Sequence, residues 1–353
     1  MERAGRGERE KGRLAGRAGG ARVSGKAEGE GMGSGRVLTL FLGALFLPVL
    51  AACGGEGGGS ESGPVNVVAT YSILGDLVEN VGGENVELTT LVGPNGDVHT
   101  FEPAPSDNAE LAEADVIFEN GLGFETWLDD LYESSGSEAE RARVTDDVET
   151  RPIAGEEHAH EEEAGHEGGE HAHERGEVDP HAWHDVRNAV VMVGSIRDAL
   201  SEADPANAAA YERNAGRYIS ELEELDADVQ EQVDSIPGED RVLFTSHDTF
   251  GYFAGRYGFE VDTALASAST ETGDPSAGET ADLVEEIEES GVTAIFGENV
   301  SDPGVMEGIA AEARVELAPP LYTDALGDPG SEGATYVEMV RYNVSTMSEA
   351  LRQ

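Results

Sequence analysis

The hydrophobic positions of the chain change period several times, and each change marks an element. Residues 65–70 (VNVVAT) are a short β-branched run, 73–82 (ILGDLVENVG) repeat apolar residues at helical spacing, and 86–93 (VELTTLVG) return to strand character. This βαβ alternation predicts a parallel sheet flanked by helices. It continues with a helix over 107–114 capped at Ser106, a strand over 115–120, and a helix from Gly123 onward. Between Asp146 and Asp179 the pattern stops, and then two helices are predicted, over 185–200 and about 206–233. The second, at about 1.5 Å per residue, spans some 40 Å, longer than one small domain needs. It reads as a rigid connector between two lobes.

Beyond that helix the alternation restarts. Strands are predicted at 241–246, 259–265 and 292–298, with a further short strand over 316–318. Helices are predicted at 249–258, 276–291, 303–313 and 336–351; Pro275 and Ser276 start the second of these and Gly291 stops it. The expected fold is therefore α/β, with two similar lobes of parallel-type sheet joined by one long helix. The N-terminal lobe is placed at 65–204, the linking helix at 205–236 and the C-terminal lobe at 239–353.

The N-terminal region follows different rules. Residues 37–50 (VLTLFLGALFLPVL) are an apolar run of 14 after Arg36, too short to span a membrane and right for the core of a signal peptide. Leu50-Ala51-Ala52-Cys53 resembles the lipobox of bacterial lipoproteins, which makes 36–53 a lipoprotein signal peptide and Cys53 a lipidation site. The plainer alternative is a cysteine that merely follows an ordinary signal sequence. Residues 1–35 read as a non-structural extension or a mis-called start, with Met32 the better initiator. Residues 54–64 (GGEGGGSESGP) form a flexible tether.

Composition narrows the function classes. The 353 residues carry 22 basic and 72 acidic side chains, a net charge of −50, which repels phosphate backbones and excludes nucleic acid as a partner. Residues 1–52 hold 9 of the basic and 5 of the acidic residues, so 13 stand against 67 in the rest, a net −54. Both lysines, Lys11 and Lys26, fall in that first part. The single cysteine excludes a disulfide framework and a thiolate metal cluster.

Four candidate ligands stand in loops that follow strands, where α/β sheets place their binding sites. They are His99, His181, His247 and Asp324. Five more histidines, His158, His160, His166, His171 and His173, lie in the acidic low-complexity segment 156–177, which is expected to be a mobile loop.

Six segments, HTFEPAPSD, NGLGFETWLDD, DPHAWHDVRNA, SHDTFGYFAGRYGF, AIFGENVSDP and TDALGDPG, resemble in order and spacing the metal-binding lipoproteins of manganese and zinc ABC transporters, the cluster A-I solute-binding proteins. The resemblance covers about 65–350. It implies a metal held between two lobes by His99, His181, His247 and Asp324, delivery to a membrane permease and its ATPase, and a monomer lipid-anchored at the outer face of the bacterial cell membrane. In similar zinc-type members a His-rich loop collects metal near the tight site, a role this places on 156–177; an insert without function is the alternative.

Three imidazoles and one carboxylate suit four-coordinate zinc, whereas a bidentate Asp324 would raise the count toward manganese. In the family a Glu at the position of His247 accompanies manganese, so zinc is favoured and manganese is the alternative. His184 departs from the family pattern, which has an apolar residue there; a partly exposed loop position is expected for it. Asp179 and Asp248 are candidates to orient an imidazole. Trp127 and Trp183 read as packing. A zinc hydrolase needs an open position for water and no HExxH motif is present; a surface adhesin would leave the four ligands unexplained. The long helix predicts small lobe tilts or movement of the Asp324 loop on metal release rather than a wide hinge opening.

Overall fold

The first β-branched run is strand β1 (Val65–Tyr71), and its parallel partners are β2 (Val86–Val92) on one side and β3 (Val116–Glu119) on the other. A fourth strand, β4 (Glu140–Arg143), extends the sheet to the order β2-β1-β3-β4, all parallel. The computed structural model describes residues 63–153, 178–262 and 277–352. The signal segment, Cys53 and the five histidines of 156–177 lie outside the described residues, as does the proposed Pro275-Ser276 helix start.

Helices α1 (Ser72–Gly82), α2 (Pro105–Glu113) and α3 (Leu128–Ser135) cross over between these strands. Two boundaries differ from the sequence reading. Helix α2 starts at Pro105, so Ser106 lies inside it; the reach-back at its start is made by Asp107, whose Oδ2 accepts the Ala104 amide at 2.7 Å. Helix α3 begins five residues later than Gly123, because Gly121, Leu122 and Gly123 have φ of 81°, 57° and 84° and form a left-handed turn. Strand β4 (ERAR) has no apolar run to announce it. Its Arg141 and Arg143 instead close on Glu119 of β3.

Helix α4 (Val186–Ala203) leads into α5 (Ala208–Asp234), which buries Tyr211, Ala215, Tyr218, Leu222, Leu225, Val229 and Val233 along one stripe of three- and four-residue spacing. That stripe packs on α4, on α1, and on the last helix, α9 (Tyr336–Leu351). Polar ties run along the same helix. Asn214 Nδ2 donates to Val81 O at 2.9 Å and Tyr218 OH to Asp76 Oδ2 at 3.2 Å, whereas Tyr257 OH donates to Asp226 Oδ1 at 2.8 Å. Truncating Leu222 to alanine is expected to lower stability by about 2–5 kcal/mol, read as a shift in the denaturation midpoint at constant slope.

The second lobe has parallel pairs β5 (Val242–Phe244) with β6 (Glu260–Asp262), and β7 (Ala294–Glu298) with β8 (Glu316–Leu321). Helices α6 (Gly251–Tyr257), α7 (Ala277–Ser290) and α8 (Pro303–Ala313) flank them. Strand β8 runs three residues past the expected 316–318, through Pro319 and Pro320; prolines are tolerated there because β8 pairs on one side, with β7. One apolar cluster runs without a break from Val67 and Phe118 in the four-stranded sheet, through Trp183 and Leu222, to Phe296 and Leu321 in the β7-β8 pair. Smaller clusters sit behind each sheet, around Leu111 and Leu131 and around Ile287 and Ile309. The lobes thus share a core.

Candidate metal centre

His99, His247 and Asp324 each follow the carboxyl end of a strand, whereas His181 opens a short turn, and each is positioned by specific contacts. His99 follows β2. Asp97 Oδ1 accepts its amide at 2.8 Å, and Trp127 Nε1 donates to Val98 O at 2.9 Å, which fixes the backbone just before it. Phe124 meets its ring edge-on at 5.1 Å. His181 opens a short 3-10 turn (Ala182–His184), and Asp179 Oδ1 accepts both its amide, at 3.0 Å, and its ring Nδ1, at 2.9 Å. Gly251 makes room for that carboxylate: a Cβ there would stand 2.6 Å from Asp179 Oδ2 and collide with the Arg151 guanidinium.

His247 follows β5. Glu298, the last residue of β7, takes its amide on Oε1 at 3.0 Å and faces its Nδ1 with Oε2 at 2.6 Å. Asp324 follows β8, on a loop held at several points. Trp183 Nε1 donates to Thr323 O at 3.0 Å, Thr323 Oγ1 donates to Glu298 Oε2 at 3.0 Å, Leu326 N donates to Ser72 Oγ at 2.9 Å, and Asn95 N donates to Leu326 O at 2.8 Å. The first and the last two cross between the lobes.

These loops bring one donor atom from each of His99, His181, His247 and Asp324 within 4.8 Å of one another. Asp324 is central. Its Oδ2 lies 3.4 Å from His99 Nε2 and 3.2 Å from His247 Nε2, and its Oδ1 lies 3.7 Å from His181 Nε2. With Nδ1 of His181 and of His247 each turned to a carboxylate, the Nε2 atoms point inward. Among the described residues, His181 Nε2, His247 Nε2 and Asp324 Oδ2 are buried without a hydrogen-bond partner. Buried polar atoms are rarely left so, and three that converge on one point fit a divalent cation.

The electrostatics fit the same reading. Burial alone would raise the Asp324 carboxyl, but His247 and His181 hold it well below the usual carboxylate range. Burial would lower His247, yet Glu298 and Asp324 together carry it well above an ordinary imidazole. His99 is likewise pulled down by burial and lifted above its ordinary value by its contact with Asp324. The carboxylates thus favour positive charge among these imidazoles.

Three expectations about the surroundings change. His184 is not a partly exposed loop residue: it is buried, stacked at 4.6 Å on Phe250 and at 5.6 Å on Trp183, and burial pushes its imidazole down to about 3. Glu298, rather than Asp248, faces the second nitrogen of His247, whereas Asp179 does orient His181 as expected. Glu298 carried a readable signal, since an acidic residue closing the apolar strand AIFGE stands at the carboxyl end of a sheet strand. Trp127 and Trp183 do more than pack, because their indole N–H groups anchor the loops of His99 and Asp324.

The family model described as zinc-uptake complex component A, periplasmic, matches residues 67–350. The chain belongs to the cluster A-I family of metal-binding lipoproteins of ABC transporters. Its relatives include the manganese-binding lipoprotein MntA of Halalkalibacterium halodurans, 35% identical over 307 residues that cover 86% of this chain and 95% of the relative. The manganese ABC transporter substrate-binding lipoprotein PsaA of Streptococcus pneumoniae is 30% identical over 323 residues, covering 90% of this chain and 98% of the relative. Among solved structures, the periplasmic zinc-binding protein TroA of Treponema pallidum superposes with a TM-score of 0.69 at 30% identity, over 82% of this chain and 99% of that one. The protein is thus a substrate-binding component of a metal ABC transporter, with the α/β architecture of two-lobed neighbours. No helix among its described residues is long and apolar enough to cross a membrane.

Proposed function

We propose that this chain captures a single zinc ion between its lobes with His99, His181, His247 and Asp324, and hands it to an ABC importer made of a permease and an ATPase. The observation that carries the reading is the convergence of unpartnered, buried Nε2 and carboxylate atoms on one point, from loops of both lobes. Four protein donors enclose an ion. They suit a carrier, which has no use for a bound, reactive water.

The choice of zinc rests on the donors: three imidazole nitrogens and one carboxylate favour it over manganese by the ordinary affinity order. Manganese is the second reading, because MntA and PsaA are named for it. On this reading Cys53 carries the lipid that keeps a monomeric protein at the outer face of the membrane. The histidines of 156–177, His158, His160, His166, His171 and His173, raise the local metal concentration without forming the tight site.

Elemental mass spectrometry of protein purified without chelator tests the proposal, followed by zinc and manganese competition titrations. The expected result is one tightly held zinc, lost in His247→Ala and retained when residues 156–177 are deleted. Manganese held against equal free zinc would overturn the metal assignment. Loss of the tight ion on deleting the loop would overturn the division of labour between loop and site.

A further inference from the structure

The two oxygens of Asp324 have unlike surroundings. Oδ2 lies between the Nε2 atoms of His99 and His247, at 3.4 and 3.2 Å. Oδ1 has a hydroxyl against it, with Thr249 Oγ1 donating at 3.4 Å, and lies farther, 3.7 Å, from His181 Nε2. Thr249 is fully buried at the start of the turn into α6, and its Oγ1 lies 3.3 Å from His184 Nε2. A carboxylate can only accept, so the hydroxyl proton goes to Asp324 and the hydroxyl oxygen is left to accept from His184 Nε2–H. His184 in turn is clamped between the rings of Trp183 and Phe250. Two side chains in series, neither among the four ligands, therefore bear on the rotation of the carboxylate.

We propose that Thr249, held in place by His184, is a specificity-determining positioning residue that keeps Asp324 a one-oxygen ligand. With Oδ1 engaged by the hydroxyl, Oδ2 is the oxygen offered to the ion and the donor count stays at four. Four donors satisfy zinc, whereas manganese prefers more oxygen ligands and would gain most from a second carboxylate oxygen. The inference rests on the metal-capture reading above.

The test compares zinc and manganese dissociation constants, by competition against a chromophoric chelator, in the full-length protein and in Thr249→Val, Thr249→Ser and His184→Leu. Valine keeps the branched shape and removes the hydroxyl; serine keeps the hydroxyl. The preference for zinc over manganese is expected to fall on the order of tenfold in Thr249→Val and His184→Leu, the usual scale for outer partners of metal ligands, and to stay near wild type in Thr249→Ser. Cobalt(II) provides a second readout. Its intense four-coordinate visible band should weaken in Thr249→Val as the carboxylate turns to offer both oxygens. A parent protein that binds no metal would overturn the capture reading and this inference with it. Normal binding in the parent, with an unchanged zinc-to-manganese ratio and cobalt band in both Thr249→Val and His184→Leu, would overturn this inference alone. A ratio that falls equally in Thr249→Ser would assign the effect to packing and also overturn it.

Discussion

Replacing Asp324 by asparagine is expected to weaken divalent-metal binding at least a thousandfold, on the order of 4 kcal/mol. The amide matches the carboxylate in size, so the loop held by Trp183, Ser72 and Asn95 has no reason to move. What is lost is the one negative charge among the four donors. A doubly charged ion would then be enclosed by neutral groups in a site where Asp324 itself has no solvent exposure, and burying charge without a counter-charge is strongly unfavourable. Competition titration measures the loss, and unchanged circular dichroism shows that the fold survives. An affinity within tenfold of the parent would remove Asp324 from the ligand set.

The second large effect is on pH. Glu298 and Asp324 hold His247 well above the ordinary imidazole range, which favours a proton on it in the metal-free protein that an incoming ion must displace. Affinity should therefore fall by about tenfold for each unit of acidification below neutrality, and more steeply where His99, also raised, takes up its own proton. Asp324 does not limit this range, since its carboxyl is held well below the usual value. Calorimetric titration in buffers of different ionisation enthalpy should show at least one proton released per ion at pH 7; none released would refute the argument.

The same shifts set the sign for stability. A raised His247 stabilises the metal-free fold fully below about pH 6.5, the unfolded imidazole value, and that contribution is lost as pH rises through the folded value. The depressed Asp324 contributes above about 3.8 and loses its contribution as pH falls through its folded value. The loaded protein does not depend on the His247 proton. The gain in melting temperature on adding metal should thus widen from pH 5 to pH 8.

Much of this centre was legible because ligands in α/β folds stand where strands end, and the strands of this chain are marked by their own periodicity. His99, His247 and Asp324 each follow such a signal, His181 stands in the loop beyond the acidic segment, and the structure gathers all four. What escaped was the layer behind them. Glu298 and Asp179 both face an imidazole Nδ1, but Asp179 is two residues from its partner and Glu298 is 51 residues away on another strand. Proximity in sequence suggested Asp248, and tertiary pairing chose Glu298. His184 was misjudged for a related reason. A polar residue in a short turn is normally solvated, yet here aromatic rings from two segments close over it. Strand β4 was missed because charge pairing with Glu119, and not apolar alternation, holds it to the sheet.

The four ligands differ in how near they lie to solvent. The side chain of His99 is 12% exposed, whereas those of His181, His247 and Asp324 are 5%, 8% and 1% exposed. By that exposure order an ion arriving from outside would meet the His99 imidazole first. His99 is the doorpost of the site, so its replacement would alter how fast ions come and go more than how firmly the deeper three grip them. In a carrier that must unload on contact with a membrane partner, that places the control of residence time on the loop after β2, at the rim of the cleft.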